Sequence, residues 1–143
     1  MLRVLKPAKT VAFVVWSFVN ANPFHSSLAR VVDAFVPPQL LPPDAPEAFR
    51  FATPGKLLAV LEEAGCSNPT ERLYRFSMDV PLFPEDFLAF RCDWSEKLRE
   101  RLATLPADQL ADLKAQAIKA FAEYSMPGGL SFPAEVLVAS GRK

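Results

Sequence analysis

The stretch TVAFVVW, residues 10–16, decides how the rest of the chain is interpreted. Its six consecutive apolar residues, Val11 to Trp16, predict a strand that is covered on both faces. Such a strand normally lies inside a sheet and has a neighbour on each side. Because it begins at residue 10, downstream sequence can supply one neighbour, and we expect the other to come from outside this chain.

The composition is that of an ordinary globular protein. The 143 residues suffice for one domain with a hydrophobic core, and 50% of them are hydrophobic. Sixteen basic and sixteen acidic residues balance, which argues against nucleic acid as a partner. The apolar run is too short to cross a membrane as a helix. Cys66 and Cys92 have no metal-like spacing; a disulfide between them is possible, but the default is a reducing, cytoplasmic location.

Two helices are predicted between the first strand and residue 65. Asn22 is a good N-cap and Pro23 suits the first helical position. A Pro-rich stretch, VPPQLLPPDAPEA at residues 36–48, cannot continue that helix and predicts an extended loop. A second helix is capped by Thr53, opened by Pro54 and ended by Gly65.

Two further strands follow from the patterns. RLYRFSMDV, residues 72–80, alternates apolar and polar side chains and predicts a strand with one wet face near a sheet edge. AEVLVASG, residues 134–141, is apolar at nearly every position and predicts an interior strand. The simplest sheet therefore places the last strand between the other two and antiparallel to the middle one. The first strand keeps one side unfilled.

Between these two strands the sequence predicts a helical insert, residues 84–126, within a single domain of residues 1–143. Four aromatic residues recur at helical spacing from the residue before this insert onward, namely Phe83, Phe87, Phe90 and Trp94. They predict either the lining of a pocket for an apolar ring or isoprenoid, or simple core packing. The sequence leaves open whether the insert is a lid or a cap.

At this point several segments resemble a known family. LRVLKPAKTVAFVVWS (2–17), NPF (22–24), FRFATPGKLLAVLEEAGCSNPTERL (49–73) and FPAEVLVASGRK (132–143) are similar to the second half of class I S-adenosylmethionine-dependent methyltransferases. The most similar group comprises the small-molecule enzymes of ubiquinone and menaquinone biosynthesis. The resemblance implies an α/β fold, half of a Rossmann-like sheet, with three mixed strands of which the last lies between the other two.

The chain departs from that family in two ways. Ala8-Lys9 stands where the family has Gly-Gly after LKP. The family's Gly-rich loop and the acidic residue that holds the cofactor ribose have no counterpart, and Gly128-Gly129 has the wrong context for such a loop. We therefore expect no cofactor to bind this chain alone, and S-adenosylmethionine to bind only if a partner completes the fold.

The resemblance also places candidate site residues, since ligands bind outside the carboxyl ends of parallel strands. The expected substrate-binding residues are Trp16, Asn20, Asn22, Phe24, Phe87 and Phe90. His25, the only histidine, is the candidate general base. The alternative is that His25 is an ordinary, partly buried helix residue. No metal site is expected.

The unfilled strand edge predicts a partner, because natural proteins cover or pair such edges. We expect a homodimer through the first-strand side, or an N-terminal-half polypeptide, with an apolar small molecule as ligand and neither nucleic acid nor membrane. One alternative function is an independent, non-catalytic, dimeric module that binds apolar small molecules. The other is an exported protein in which residues 1–21 are a signal.

Overall fold

The computed structural model describes residue 3, residues 5–38 and residues 46–143. The chain is an α/β protein. Its elements are β1 (Thr10–Trp16), α1 (Pro23–Phe35), α2 (Lys56–Glu63), β2 (Ser67–Val80), α3 (Pro84–Trp94), α4 (Glu96–Leu102), α5 (Ala107–Ala122), β3 (Ser125–Met126) and β4 (Gly129–Arg142). A short 3-10 turn, Val19–Ala21, precedes α1. Much of the predicted Pro-rich loop, residues 39–45, lies outside the described residues.

The strands form one sheet in the order β1-β4-β2, with β3 paired to β4. The last strand, β4, therefore lies between β1 and β2, and the strand order predicted from the sequence is confirmed. In the β1–β4 ladder Thr10 lies opposite Arg142 and Trp16 opposite Val136. The expectation of three mixed strands is wrong: the sheet that the described residues form is antiparallel and has four strands. The physical reason is that β4 runs against both neighbours, and a tight reversal between Met126 and Gly129 adds β3.

The described chain divides into two compact units. The first unit takes the described residues within Met1–Asn22, Asp44–Phe76 and Ala134–Lys143. Its core consists of the buried residues Leu57, Leu61, Cys66 and Ala139, with Val11, Phe13, Val15 and Phe51 packed against them. The odd-numbered side chains of β1 thus pack toward α2, and Gly141 lies so close to Cys66 that a Cβ there would be 2.7 Å from the cysteine Cβ.

The prediction that β1 is covered on both faces is wrong. Exposure alternates along the strand, and Val14 is 66% exposed. Among the described residues β1 pairs only with β4. One face of the strand packs on the α2 core, and the other face, which includes Val14, is also apolar although no described helix covers it in the same way.

The second unit takes the described residues within Pro23–Pro43 and Ser77–Pro133. Its core is aromatic and aliphatic, and the largest side chains with no exposure are Phe87, Phe121, Phe132, Leu113 and Leu130. α1 and α5 pack together in this unit, as do α3 and α5. In the hairpin of β3 and β4, the second strand begins at Gly129, where a Cβ would meet the Val80 carbonyl oxygen at 2.2 Å.

The helix starts agree with the sequence at α1 and differ at α2. α1 begins at Pro23 as predicted. α2 begins at Lys56 rather than Pro54, because Gly55 precedes it with a φ of 84°, a left-handed conformation that glycine adopts easily. Both cysteines are free, so the possible disulfide is not formed.

Candidate functional site

A polar arrangement lies at the carboxyl end of β1. The Ser17 hydroxyl donates to Glu135 Oε1 at 2.7 Å, and Arg75 Nε lies 2.7 Å from Glu135 Oε2. Ser17 is 1% exposed, whereas the Arg75 side chain is 76% exposed. The Ser17 hydrogen bond first, and then Arg75, hold the pKa of Glu135 below its usual range. Glu135 is therefore a charged carboxylate at neutral pH and a poor proton acceptor.

Sequence reasoning missed Glu135 as part of this site. A signal was present, since Glu135 is the one charged residue in the apolar run of residues 134–141. Its partners come from both neighbouring strands, because β4 is the central strand and Glu135 reaches Ser17 on the β1 side and Arg75 on the β2 side. The carboxylate thus ties three neighbouring segments of the first unit together.

Asn22 fastens the loop that follows β1. Its side chain is 1% exposed. Nδ2 donates to the carbonyl oxygens of Phe18, at 3.0 Å, and Glu135, at 3.1 Å, while Oδ1 accepts from the Glu135 backbone N–H at 2.9 Å. Sequence reasoning offered Asn22 as a helix cap and a substrate contact. In the structure both the nitrogen and the oxygen of its side-chain amide bond to backbone groups and fix this loop to β4.

Trp16 lines an open groove in the first unit, which we call the apolar groove. The groove measures about 400 Å³ and is lined by Val14, Val15, Trp16, Ala48, Phe76 and Val136. Phe76, in the wall of this groove, is 45% exposed. Asn20 is exposed in the short 3-10 turn that comes after β1. A site with this lining can accept an aliphatic or aromatic body, since apolar walls dominate small-molecule pockets.

A second recess of the first unit, the polar groove, measures about 270 Å³. It is lined by Thr70, Arg72, Tyr74, Val138 and Ser140. The Thr70 and Ser140 hydroxyl oxygens are 3.1 Å apart. This groove was not found from the sequence, because it needs the register of β2 against β4.

The predicted aromatic stripe of α3 separates into buried and exposed members. Phe87 has no exposure and contacts the rings of Phe24 and Phe132, with centroids at 5.3 and 5.2 Å. Phe90 and Trp94 stack with centroids 5.8 Å apart, yet they are 42% and 68% exposed. Phe87 is thus part of the core of the second unit, and Phe90 belongs to its surface.

His25 lies beside Phe24 in the second unit, with ring centroids 5.1 Å apart in an edge-on arrangement. Burial, and next the positive charge of Arg91, lower the pKa of His25 from 6.5 to about 4. The Arg91 guanidinium lies 5.0 Å from the centre of the Phe24 ring and donates to the Phe24 carbonyl oxygen. At neutral pH the imidazole is uncharged, and a base with so low a pKa takes protons from a phenol or enol inefficiently.

The structure groups the predicted site residues within each unit. Trp16, Asn20 and Asn22 lie in the first unit, at and just after the carboxyl end of β1. Phe24, His25, Phe87 and Phe90 lie in the second. Within the described part of the chain no group of three histidine, cysteine, aspartate or glutamate side chains could hold a metal ion.

The chain matches no protein-family model, and no curated protein matches it. No described helix is long and apolar enough to cross a membrane.

Proposed function

We propose that this chain acts as the C-terminal half of an S-adenosylmethionine-dependent methyltransferase for a small apolar acceptor, and that the cofactor is held by residues outside it. The sheet order β1-β4-β2 supports this, because the resembling family ends with an antiparallel strand between its fifth and sixth strands. The open side of β1 is where that family's remaining strands continue.

In this proposal the chain positions the acceptor, and S-adenosylmethionine supplies the methyl group. Trp16 offers an apolar surface in the apolar groove, and Asn20, four residues further along the chain, offers an exposed amide. Asn22 and Ser17 hold this loop against Glu135, so that it is ordered before the acceptor arrives. His25 contributes little proton transfer at neutral pH because its pKa is about 4.

Calorimetric titration with S-adenosylhomocysteine tests the proposal. The chain alone should give no heat into the millimolar range. The complete reading frame that contains this chain, or its complex with a co-encoded partner, should bind the ligand at micromolar concentration and transfer labelled methyl groups to an apolar phenol. Micromolar binding by the chain alone would contradict the proposed division of labour. A completed protein without binding would overturn the function.

A matched pair of variants then tests the role of Trp16 in the completed protein. Trp16→Ala should raise the KM for the acceptor and leave S-adenosylhomocysteine binding unchanged. Trp94→Ala removes an equally large ring that is 68% exposed on α3, and should change neither quantity. Equal effects of the two substitutions on the KM for the acceptor would contradict binding of the acceptor in the apolar groove.

A second candidate function is a non-catalytic module that binds apolar small molecules. The apolar groove favours it, because its walls are formed by residues of one unit and need no cofactor. The two functions differ in the completed protein: a module binds the same ligands with and without S-adenosylhomocysteine, and produces no methylated product.

One side of β1 pairs with no described strand, and this also supports a partner, either a second copy of the chain or an N-terminal-half polypeptide. Both would pair with the same edge, so they are mutually exclusive. In the proposal of an exported protein, cleavage after Ala21 would remove β1 from its ladder with β4. Since the first unit packs Val11, Phe13 and Val15 in its core, we favour a cytoplasmic protein that keeps these residues.

A further inference from the structure

The apolar and polar grooves share one face of the sheet in the first unit. Val136 and Val138, two residues apart on β4, line one groove each. Phe76 and Tyr74 do the same on β2. Because side chains two residues apart on a strand point to the same side, the two grooves follow one another along the strands.

Arg72 is the one charged residue among those that line the two grooves. It makes no ion pair or hydrogen bond with the residues that the structure describes, and it lies in the polar groove beside the hydroxyls of Thr70 and Ser140. Arg75, on the same strand but the opposite side, differs because its guanidinium is paired with Glu135. A guanidinium with hydroxyl donors around it matches a carboxylate, which accepts several hydrogen bonds.

We propose that this face binds a small amphipathic acid, with the carboxylate at Arg72 and the apolar body in the groove between Phe76 and Trp16. The apolar part of this site is the groove that the proposed function gives to the acceptor, but binding of the acid requires neither a methyl donor nor a second polypeptide. Residues 72 and 76 are separated by about 13 Å along an extended strand. The ligand is therefore a medium-chain or aromatic acid of that length.

Charge complementarity favours an acid over a neutral ligand or a protein strand. The described residues lining the two grooves carry one charge, that of Arg72, and no carboxylate. The groove volumes, about 400 and 270 Å³, are of the size that holds a small molecule. The single cation at one end and the aromatic walls at the other fix the orientation of the ligand.

Decanoate, kept below its micelle concentration, is the probe, and 1-decanol is its uncharged counterpart. We expect calorimetry to show decanoate binding, and NMR shifts to concentrate on the backbone of residues 72–76 and 136–140. Arg72→Gln should weaken decanoate binding about fivefold, as for an exposed charge pair, and should leave decanol binding unchanged. Arg30→Gln, at an exposed position on α1 in the other unit, is the control and should have no effect.

Three results would overturn the site. The first is no heat and no shifts with decanoate, including the case in which a second copy already covers this face. The second is equal decanoate affinity of Arg72→Gln and the unchanged chain. The third is a set of shifts confined to the second unit.

Discussion

The side-chain amide of Asn22 pairs with the backbone of Glu135 as a strand residue would. Its Oδ1 accepts from the Glu135 N–H at 2.9 Å, and its Nδ2 donates to the Glu135 carbonyl at 3.1 Å. The β1 ladder ends in the same place, where the Ser17 N–H donates to that carbonyl at 3.0 Å. One side chain thus extends the sheet after the strand has turned away.

Removing this amide should destabilise the fold. Asn22→Ala leaves the partly buried Glu135 N–H without its acceptor, and an unpaired donor costs up to about 1–3 kcal/mol. Urea unfolding should show a loss of that size in the free energy of unfolding. Asn20→Ala, at an exposed position two residues away, is the control and should change it by less than about 0.5 kcal/mol. Equal losses for both variants would contradict the role of the Asn22 amide.

The Ser17–Glu135 hydrogen bond should be measurable as a change in acidity. Ser17→Ala removes the largest cause of the lowered Glu135 pKa and should raise that pKa more than Arg75→Gln does. NMR titration of the Glu135 carboxyl measures both changes. The opposite order would show that the exposed arginine dominates.

The same lowered pKa has a consequence for stability. The folded-state pKa of Glu135 lies below its usual value of 4.5, so the unfolded state binds the proton more readily. The resulting stabilisation is present above pH 4.5 and is lost as the pH falls through the folded-state pKa. The difference in unfolding free energy between the unchanged chain and Glu135→Gln should therefore shrink in that acidic range.

His25 should titrate near pH 4. As the only histidine it gives one imidazole signal, which NMR can follow directly. The unfolded state binds the proton near pH 6.5, so the free energy of unfolding should fall as the pH drops from about 6.5 toward 4. His25→Phe keeps an aromatic ring beside Phe24 and should remove this component of the slope. A His25 pKa close to 6.5 would contradict the burial and the influence of Arg91.

Gly129 should tolerate substitution less well than its neighbour. Both Gly128 and Gly129 have positive φ, at 92° and 152°. A Cβ at Gly129 would clash with the Val80 carbonyl at 2.2 Å, whereas one at Gly128 meets nothing within 4 Å. Gly128→Ala should cost about 1–2 kcal/mol from backbone strain, and Gly129→Ala more than that. Thermal unfolding of the two variants measures both losses of stability. Equal losses would show that the clash with the Val80 carbonyl does not contribute.

The order of the strands was predictable, and the contacts of Glu135 were not. The apolar run of residues 134–141 identified the central strand, because a strand buried on both faces has apolar side chains at nearly every position. The hydrogen bond between Ser17 and Glu135 joins residues 118 positions apart, so it depends on a register that local patterns do not contain. Val14 lies in an equally apolar run and is nevertheless 66% exposed, because an apolar side chain does not show whether another segment covers it.

The aromatic stripe of α3 gives the same lesson. Phe87, Phe90 and Trp94 share helical spacing, but only Phe87 is buried. Periodicity assigns side chains to a face, and the width of the face that packs depends on neighbouring helices. Spacing therefore identified the aromatic face of α3 but not which of its side chains are buried.

The last prediction concerns the free edge of β1. Its seven residues, TVAFVVW, contain no charge or proline that would discourage pairing with another strand. At micromolar concentration we expect light scattering to give twice the mass of one chain for the unchanged protein. For Val14→Lys we expect the mass of a single chain. Val14 is 66% exposed, so the fold should accept the lysine, and its charge on an edge strand disfavours pairing.

Val60→Lys is the matched control for this edge. Val60 is 44% exposed on α2, and its substitution should leave the dimer intact. If both lysine variants remain dimeric, the interface lies elsewhere. If the unchanged chain is monomeric, no second copy pairs with β1, and an N-terminal-half polypeptide becomes the remaining proposed partner for that edge.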